Sequence, residues 1–149
     1  MNKITLRLAT IADLPVLLGV DAEIADPSTL DLHGVYYREW VGAGECWLAQ
    51  AGQEPVGLAV LHRHFFHRDF VELLLVRPAW QGRGVGGTIL RGLAGIAEGP
   101  RVWISTNRSN AAMQKLLAKE GFVYAGTIEG LDEGDPELFY WRAVDSACF

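Results

Sequence analysis

Val76-Arg-Pro-Ala-Trp-Gln-Gly-Arg-Gly-Val-Gly-Gly87 is the stretch that decides how this chain is read. Before it stands an apolar run, Phe70-Val-Glu-Leu-Leu-Leu-Val76, with the character of a buried strand. After it, Val85, Ile89, Leu93 and Ile96 recur at helical spacing. A strand feeding a glycine-rich turn at a helix start aims several unpaired backbone N–H groups at one point. Such a point attracts anions, most often phosphate. With side chains nearly absent, a bulky pyrophosphate can come close to the main chain.

The rest of the chain frames that unit as part of one domain, residues 1–149. Half of the residues are hydrophobic, enough for a full core at this length. No run approaches the ~20 apolar residues of a membrane span, and the charged, strand-like Met-Asn-Lys-Ile-Thr-Leu-Arg7 lacks the apolar centre of a signal peptide. A net charge of -5 argues against a general nucleic-acid surface. Cys46 and Cys148 lie far apart and read as reduced thiols. A cytoplasmic enzyme fits these bounds, and no membrane or nucleic-acid partner is expected.

Along the chain, Lys3 to Ala9 alternates as a strand, and Thr10-x-x-Asp13 reads as a capping box opening a first helix, with Pro15 in its first turns. Ser28-x-x-Asp31 offers a second cap for a helix toward Val41. Strands are expected near Cys46 to Ala51 and Val56 to His62, joined by the turn Gly52-Gln-Glu-Pro55. The strand, glycine turn and helix come next, then a strand from Arg101 and a helix from Asn110 that Gly121 closes, with Phe122 packing back. Val123 to Ile128 and Glu137 to Ala143 finish the chain as strands around an acidic turn. The order is β-α-α-β-β-β-α-β-α-β-β, an α/β mixed sheet.

Several phosphate ligands compete for the turn. Gly82-Arg-Gly84-Val-Gly86-Gly87 satisfies the dinucleotide pattern G-x-G-x-x-G, which alone is weak. That reading also wants a carboxylate at the end of the next strand, yet Ser105, Thr106 and Asn107 stand there. Pro78 and Gln81 separate the strand from the glycines, whereas a dinucleotide turn starts at the strand end. No Gly-Lys-Ser/Thr follows, so a P-loop is excluded. The nicotinamide reading falls behind.

Gln81-Gly-Arg-Gly84-Val-Gly86, preceded by Leu-Leu-Val-Arg-Pro at 74–78, resembles the Gln/Arg-x-x-Gly-x-Gly/Ala signature of the GNAT superfamily of acyl-CoA-dependent N-acetyltransferases. Asn110-Ala-Ala-Met-Gln-Lys-Leu-Leu-Ala-Lys-Glu-Gly121-Phe122 is similar to the family's Asn-to-Gly-Phe helix, and Leu6-Arg-Leu-Ala-Thr10-Ile-Ala-Asp13 to its opening strand and helix start. The resemblance implies a largely antiparallel mixed sheet with helices on both faces, acetyl-CoA as cosubstrate, no metal, and an amine acceptor. It implies that Leu74, Leu75 and Val76 bind pantetheine through their main chain. Gln81, Gly82, Arg83, Gly84, Val85, Gly86, Gly87 and Thr88 would hold the pyrophosphate, with Asn110 a further cofactor contact. Asn110 also suits a plain helix cap, and Arg83 a solvated cation.

The amine must be neutral to react. For a lysine-like amine of pKa near ~10.4 this costs about 4.6 kcal/mol at pH 7, which a nearby carboxylate base would help to supply. Glu72 is the only charge between Phe70 and Val76 and is the candidate. Family members with a tyrosine general acid carry it seven residues after the helix Asn, where this chain has Leu117. A non-catalytic acyl-CoA-binding domain is therefore the alternative to an enzyme. On the acceptor side, His33, Tyr36, Tyr37 and Trp40 form one helical stripe, of which the first three are candidates for substrate contact. The acidic turn Leu131 to Leu138 would attract a cationic amine. The cluster His62, His64 and His67 reads as a solvated hairpin rather than a metal site. Oligomeric state stays open, a homodimer included.

Overall fold

The computed structural model describes residues 3–25 and 30–144. The Ser28 cap and Cys148 lie outside the described residues. The elements are β1 (Ile4–Leu8), α1 (Leu14–Ala22), α2 (Leu30–Gly42), β2 (Cys46–Ala51), β3 (Glu54–Phe65), β4 (Arg68–Val76), α3 (Val85–Ile96), β5 (Arg101–Asn107), α4 (Ala111–Lys119), β6 (Val123–Ile128) and β7 (Glu137–Ala143). Short 3-10 turns, Ile11–Asp13 and Pro78–Trp80, precede α1 and follow β4. The order is the expected one. The seven strands are hydrogen-bonded in the order β1-β2-β3-β4-β5-β7-β6. β4 and β5 pair in parallel, while β1–β2, β2–β3, β5–β7 and β6–β7 pair antiparallel.

Internal contacts divide the chain into two units, Met1–Leu61 with Leu73–Ile89, and His62–Glu72 with Leu90–Phe149. The division falls within β3, β4 and α3 rather than in a linker.

In the first unit, Thr10 receives the chain from β1 and donates its N–H to the Asp13 carboxylate at 2.7 Å. Arg7 grips the same carboxylate with two N–H groups at 2.8 Å. Arg7 first, and then the Thr10 amide, hold the Asp13 carboxyl far below the usual carboxylate range. Leu17 and Val20 of α1, Tyr37 of α2 and Cys46, Leu48, Leu58 and Val60 of the sheet form the core, with Leu73 and Leu75 of β4 packed against it. Burial pushes the Cys46 thiol up to about 12, so it stays a protonated core residue. On another side of the sheet, a Cβ built on Gly57 would lie 2.5 Å from the Leu75 carbonyl oxygen and 3.2 Å from the Ile89 side chain in α3. Only glycine lets β3, β4 and α3 approach there.

In the second unit, β5 lies between β4 and β7. Asn110 caps α4 by accepting the Met113 N–H at 3.1 Å. At the other end Gly121 adopts φ 84°, and the Phe122 N–H returns to the Leu117 carbonyl at 2.9 Å, burying the Phe122 ring. Val102 and Ile104 alternate inward from β5 with Thr106, as period-two patterning requires.

Candidate active site

β4 ends in a sharp, pinned exit. Arg77 donates to both carboxylate oxygens of Glu23 at 3.0–3.2 Å and to the Pro55 carbonyl at 3.0 Å. Its own N–H reaches the Val56 carbonyl at 2.9 Å. The chain then makes the Pro78–Trp80 turn, and the Gln81 side chain reaches back to the Val76 carbonyl at 3.1 Å. Gln81 thus fastens the turn to the strand it follows.

Gly82 and Gly84 take φ of 77° and 80°, and a Cβ at either would meet no atom within 4 Å. Both glycines answer to backbone conformation and to the open space around them. The first helical bond of α3 is donated by Thr88, whose N–H and hydroxyl both reach the Gly84 carbonyl, at 3.1 and 2.9 Å. Among the described residues, none of the amides from Gly82 to Gly87 is engaged in a turn bond. The turn therefore has both the donors and the room that a pyrophosphate needs, at the positive end of a helix dipole worth roughly 0.3–1 kcal/mol. Arg83 is exposed, with its guanidinium carbon 4.9 Å from the centre of the Trp80 ring. Val85 and Gly87 are buried beneath the turn and act as its footing, and Gly86 and Thr88 are half-buried.

The β4–β5 ladder is short. It pairs Asp69 with Val102, Phe70 with Trp103 and Val71 with Ile104, and goes no further. β4 itself continues to Val76, so on that edge the main chain of Leu74, Leu75 and Val76 carries no ladder partner among the described residues. A free strand edge can accept an extended ligand by main-chain hydrogen bonds.

In the second unit Glu72 is exposed and lies 3.4 Å from His62 Nε2 on β3. His62 Nδ1 accepts the His64 N–H at 2.9 Å, which fixes the ring proton on Nε2 and makes His62 the donor to Glu72. By sequence, a strand ends at His62 and the His62, His64 and His67 cluster reads as a solvated hairpin. β3 instead runs to Phe65, and the turn is only Phe66 and His67, so His62 lies within the sheet beside Glu72. Strand alternation extended past His62 was the available signal. Asn110 retains its side-chain NH₂ without an acceptor among the described residues, while its carbonyl oxygen caps α4.

Other candidates divide. Leu117 is fully buried, and Tyr140 is buried as well, while exposed Tyr124 pairs its hydroxyl with Thr127. Among the acceptor-stripe residues, Tyr37 is wholly buried and its hydroxyl donates to Asp21 at 2.8 Å. Burial, then the bond to Asp21, raises its hydroxyl above the ordinary tyrosine range. Tyr37 is a core residue, so the stripe open to ligand reduces to His33 and Tyr36. Buried Asp21 also binds His33 Nδ1 at 2.6 Å, and the His33 ring stacks on Tyr36 with centroids 6.4 Å apart. The acidic turn is largely engaged internally: Asp132 accepts from Asn107, Asp135 from the Ser109 N–H and hydroxyl, and Glu137 from Ser105. These neutral donors shape the turn and leave the carboxylates their negative charge.

Residues 19–122, more than half of the chain, match the model of the acetyltransferase (GNAT) family. Among solved structures, a GNAT-family acetyltransferase from Bacillus cereus is 27% identical, with a TM-score of 0.84 over 95% of this chain and 97% of that one. The N-acetyltransferase of Staphylococcus aureus is 20% identical, with a TM-score of 0.75 over 96% and 99% of the two chains. The protein yncA of Salmonella typhimurium, solved with its cofactor acetyl-CoA, is 21% identical, with a TM-score of 0.72 over 97% and 96%. The last two speak for the fold. No curated protein sequence matches the chain significantly. With the fold, the glycine turn and the family match in agreement, the chain belongs to the GNAT family of acetyltransferases, whose cosubstrate is acetyl-CoA.

Proposed function

We propose that this chain moves an acetyl group from acetyl-CoA to a primary amine of a small-molecule or peptidic acceptor, by direct transfer in a ternary complex. The observation that carries the proposal is the run of amides from Gly82 to Gly87, at the start of α3, that make no turn bond among the described residues. These amides would hold the pyrophosphate, with Arg83 beside them, and the free edge of Leu74 to Val76 would take the pantetheine arm as an added strand. Acetyl-CoA supplies the activated thioester; the chain supplies position and proton handling. A main-chain N–H of Leu74, Leu75 or Val76 would polarise the thioester carbonyl, a donor that needs no reorganisation.

Glu72 is the proposed base that takes the proton from the incoming ammonium, directly or through water, and His62 holds its carboxylate in place. Leu117 cannot donate a proton, so the thiolate leaves without an acid from that position. Thiol pKa values near ~8.5 make this tolerable. His33 and Tyr36 are the proposed acceptor contacts, and an acidic chain with a buried, unpaired thiol is in keeping with the cytoplasm.

The test is calorimetric binding of acetyl-CoA, CoA and NADPH, followed by an amine screen read by thiol release. Binding of the CoA compounds alone, with turnover abolished in Glu72→Gln while CoA affinity persists, is expected. CoA binding without turnover on any amine would favour a non-catalytic acyl-CoA-binding domain. No CoA binding would end the proposal.

A further inference from the structure

Within the second unit, a cavity of about 390 Å³ opens beside the β3–β4 turn and the start of β5. Its size lies in the range of small-molecule pockets. Around it stand Arg63, His67, Arg68 and Arg101 against a single carboxylate, Asp69.

That carboxylate is already satisfied. Buried Asp69 accepts from Arg63 at 2.6 Å, from the Gly99 N–H at 2.8 Å and from the Glu98 N–H at 3.3 Å. Arg63 is equally committed, giving a second N–H to the His67 carbonyl at 2.9 Å and lying 3.5 Å from Glu98. The two form a neutral floor. Arg68 donates one N–H to the Phe66 carbonyl at 2.6 Å, and Arg101 lays its guanidinium face 3.8 Å from the Trp141 ring centroid. Among the described residues neither has a carboxylate partner, so the remaining edge donors of both stay unmatched. The His67 ring likewise has no partner among those residues. Trp103 is another wall; its indole N–H is buried, so the ring rather than the N–H meets the cavity. Arg68 and Arg101 thus bring two uncompensated cations to one cavity, which calls for an anion.

The turn supplies a second, independent observation. Phe66 and His67 take φ of 52° and 62°, a left-handed pair that hairpins normally give to Asn-Gly. Each is strained relative to ordinary backbone. Phe66 is moreover 74% exposed, so core packing does not offset that cost. Strain of this kind is kept where the side chains have a task. Phe66 and Trp103 give the cavity two aromatic walls suited to a planar ring.

We infer that this cavity is a ligand site for the phosphate monoester of a planar-ring compound, with Arg68 and Arg101 taking the phosphate and Phe66 and Trp103 the ring. The site lies in a different unit from the glycine turn and does not depend on the cosubstrate assignment.

The experiment is titration of the whole chain with AMP and with phenyl phosphate, followed by calorimetry and by the tryptophan indole N–H resonances. The Trp103 signal is identified by its loss in Trp103→Phe. Saturable binding of at least one probe, with a shift of the Trp103 resonance, is expected. Affinity should fall about tenfold or more in Arg68→Gln/Arg101→Gln, as loss of charge-assisted bonds requires. Phe66→Ala, at an exposed position, should weaken binding several-fold in a chain that still folds. No saturation with either probe would overturn the inference, as would unchanged affinity in Phe66→Ala. So would displacement of bound probe by acetyl-CoA in wild type but not in Gly84→Val, which would put the probe in the glycine turn.

Discussion

The two ends of β4 are finished by opposite kinds of turn. At its start, Phe66 and His67 carry positive φ on bulky side chains; at its end, Gly82 and Gly84 carry it on residues with none. The glycine turn exposes main-chain amides and keeps space clear around them. The hairpin turn does the reverse, accepting backbone strain and presenting an aromatic ring and an imidazole. Left-handed backbone is thus used in two ways. Glycine stands where the peptide groups are left bare; bulky residues stand where side chains are presented.

Glu72, partway along the strand that joins these turns, gives the largest expected effect. Glu72→Gln should lower kcat by roughly 10²-fold or more, the range of a general base. Its melting temperature should stay close to wild type, because Glu72 is exposed. Steady-state kinetics beside a thermal melt would check both halves.

Next is Gly84→Val, which puts a β-branched residue at φ 80°. Local strain of about 1–3 kcal/mol should weaken acetyl-CoA binding roughly tenfold or more by calorimetry, while far-UV circular dichroism stays native. Unchanged affinity would mean that the peptide groups of this turn do not meet the cosubstrate, and the contrast would fail.

The mirror test, Phe66→Asn/His67→Gly, should stabilise the protein by about 1–2 kcal/mol in urea melts. A variant no more stable than wild type would show that the hairpin side chains repay the strain through folding contacts.

Asp13→Asn, remote from both turns, gives the smallest effect. The Asp13 carboxyl is depressed when folded, so its stabilisation is complete above the unfolded value of ~3.9 and declines as pH falls below it. The variant should be less stable at pH 7 and lose less than wild type between about pH 4 and 2. Parallel stability curves in urea would contradict that assignment.

Local signals made most of the fold legible. The Asn110 cap, the Gly121 terminus and the glycine turn each state their geometry within a few residues. What escaped was set by distant partners. Tyr37 shares its helical stripe with His33, and its burial comes from the core packed around its ring and from Asp21 at its hydroxyl. Where the β4–β5 ladder ends is a matter of pairing between distant segments, which periodicity does not encode. The cavity beside Arg68 and Arg101 joins residues more than thirty positions apart, and its balance of charge depends on Arg63 and Asp69 cancelling one another. Even Gln81, visible in the motif, has a contact to the Val76 carbonyl that the motif does not announce.

Gly57 touches neither turn, yet any side chain there would collide with the Leu75 carbonyl of β4, which lies behind the edge proposed to receive the pantetheine arm. A screen scoring only turnover would therefore rank position 57 alongside the turn glycines and invite its misassignment as a ligand contact. Pairing each activity score with an abundance score would separate the two cases, because inactive position-57 variants should also be scarce in the cell.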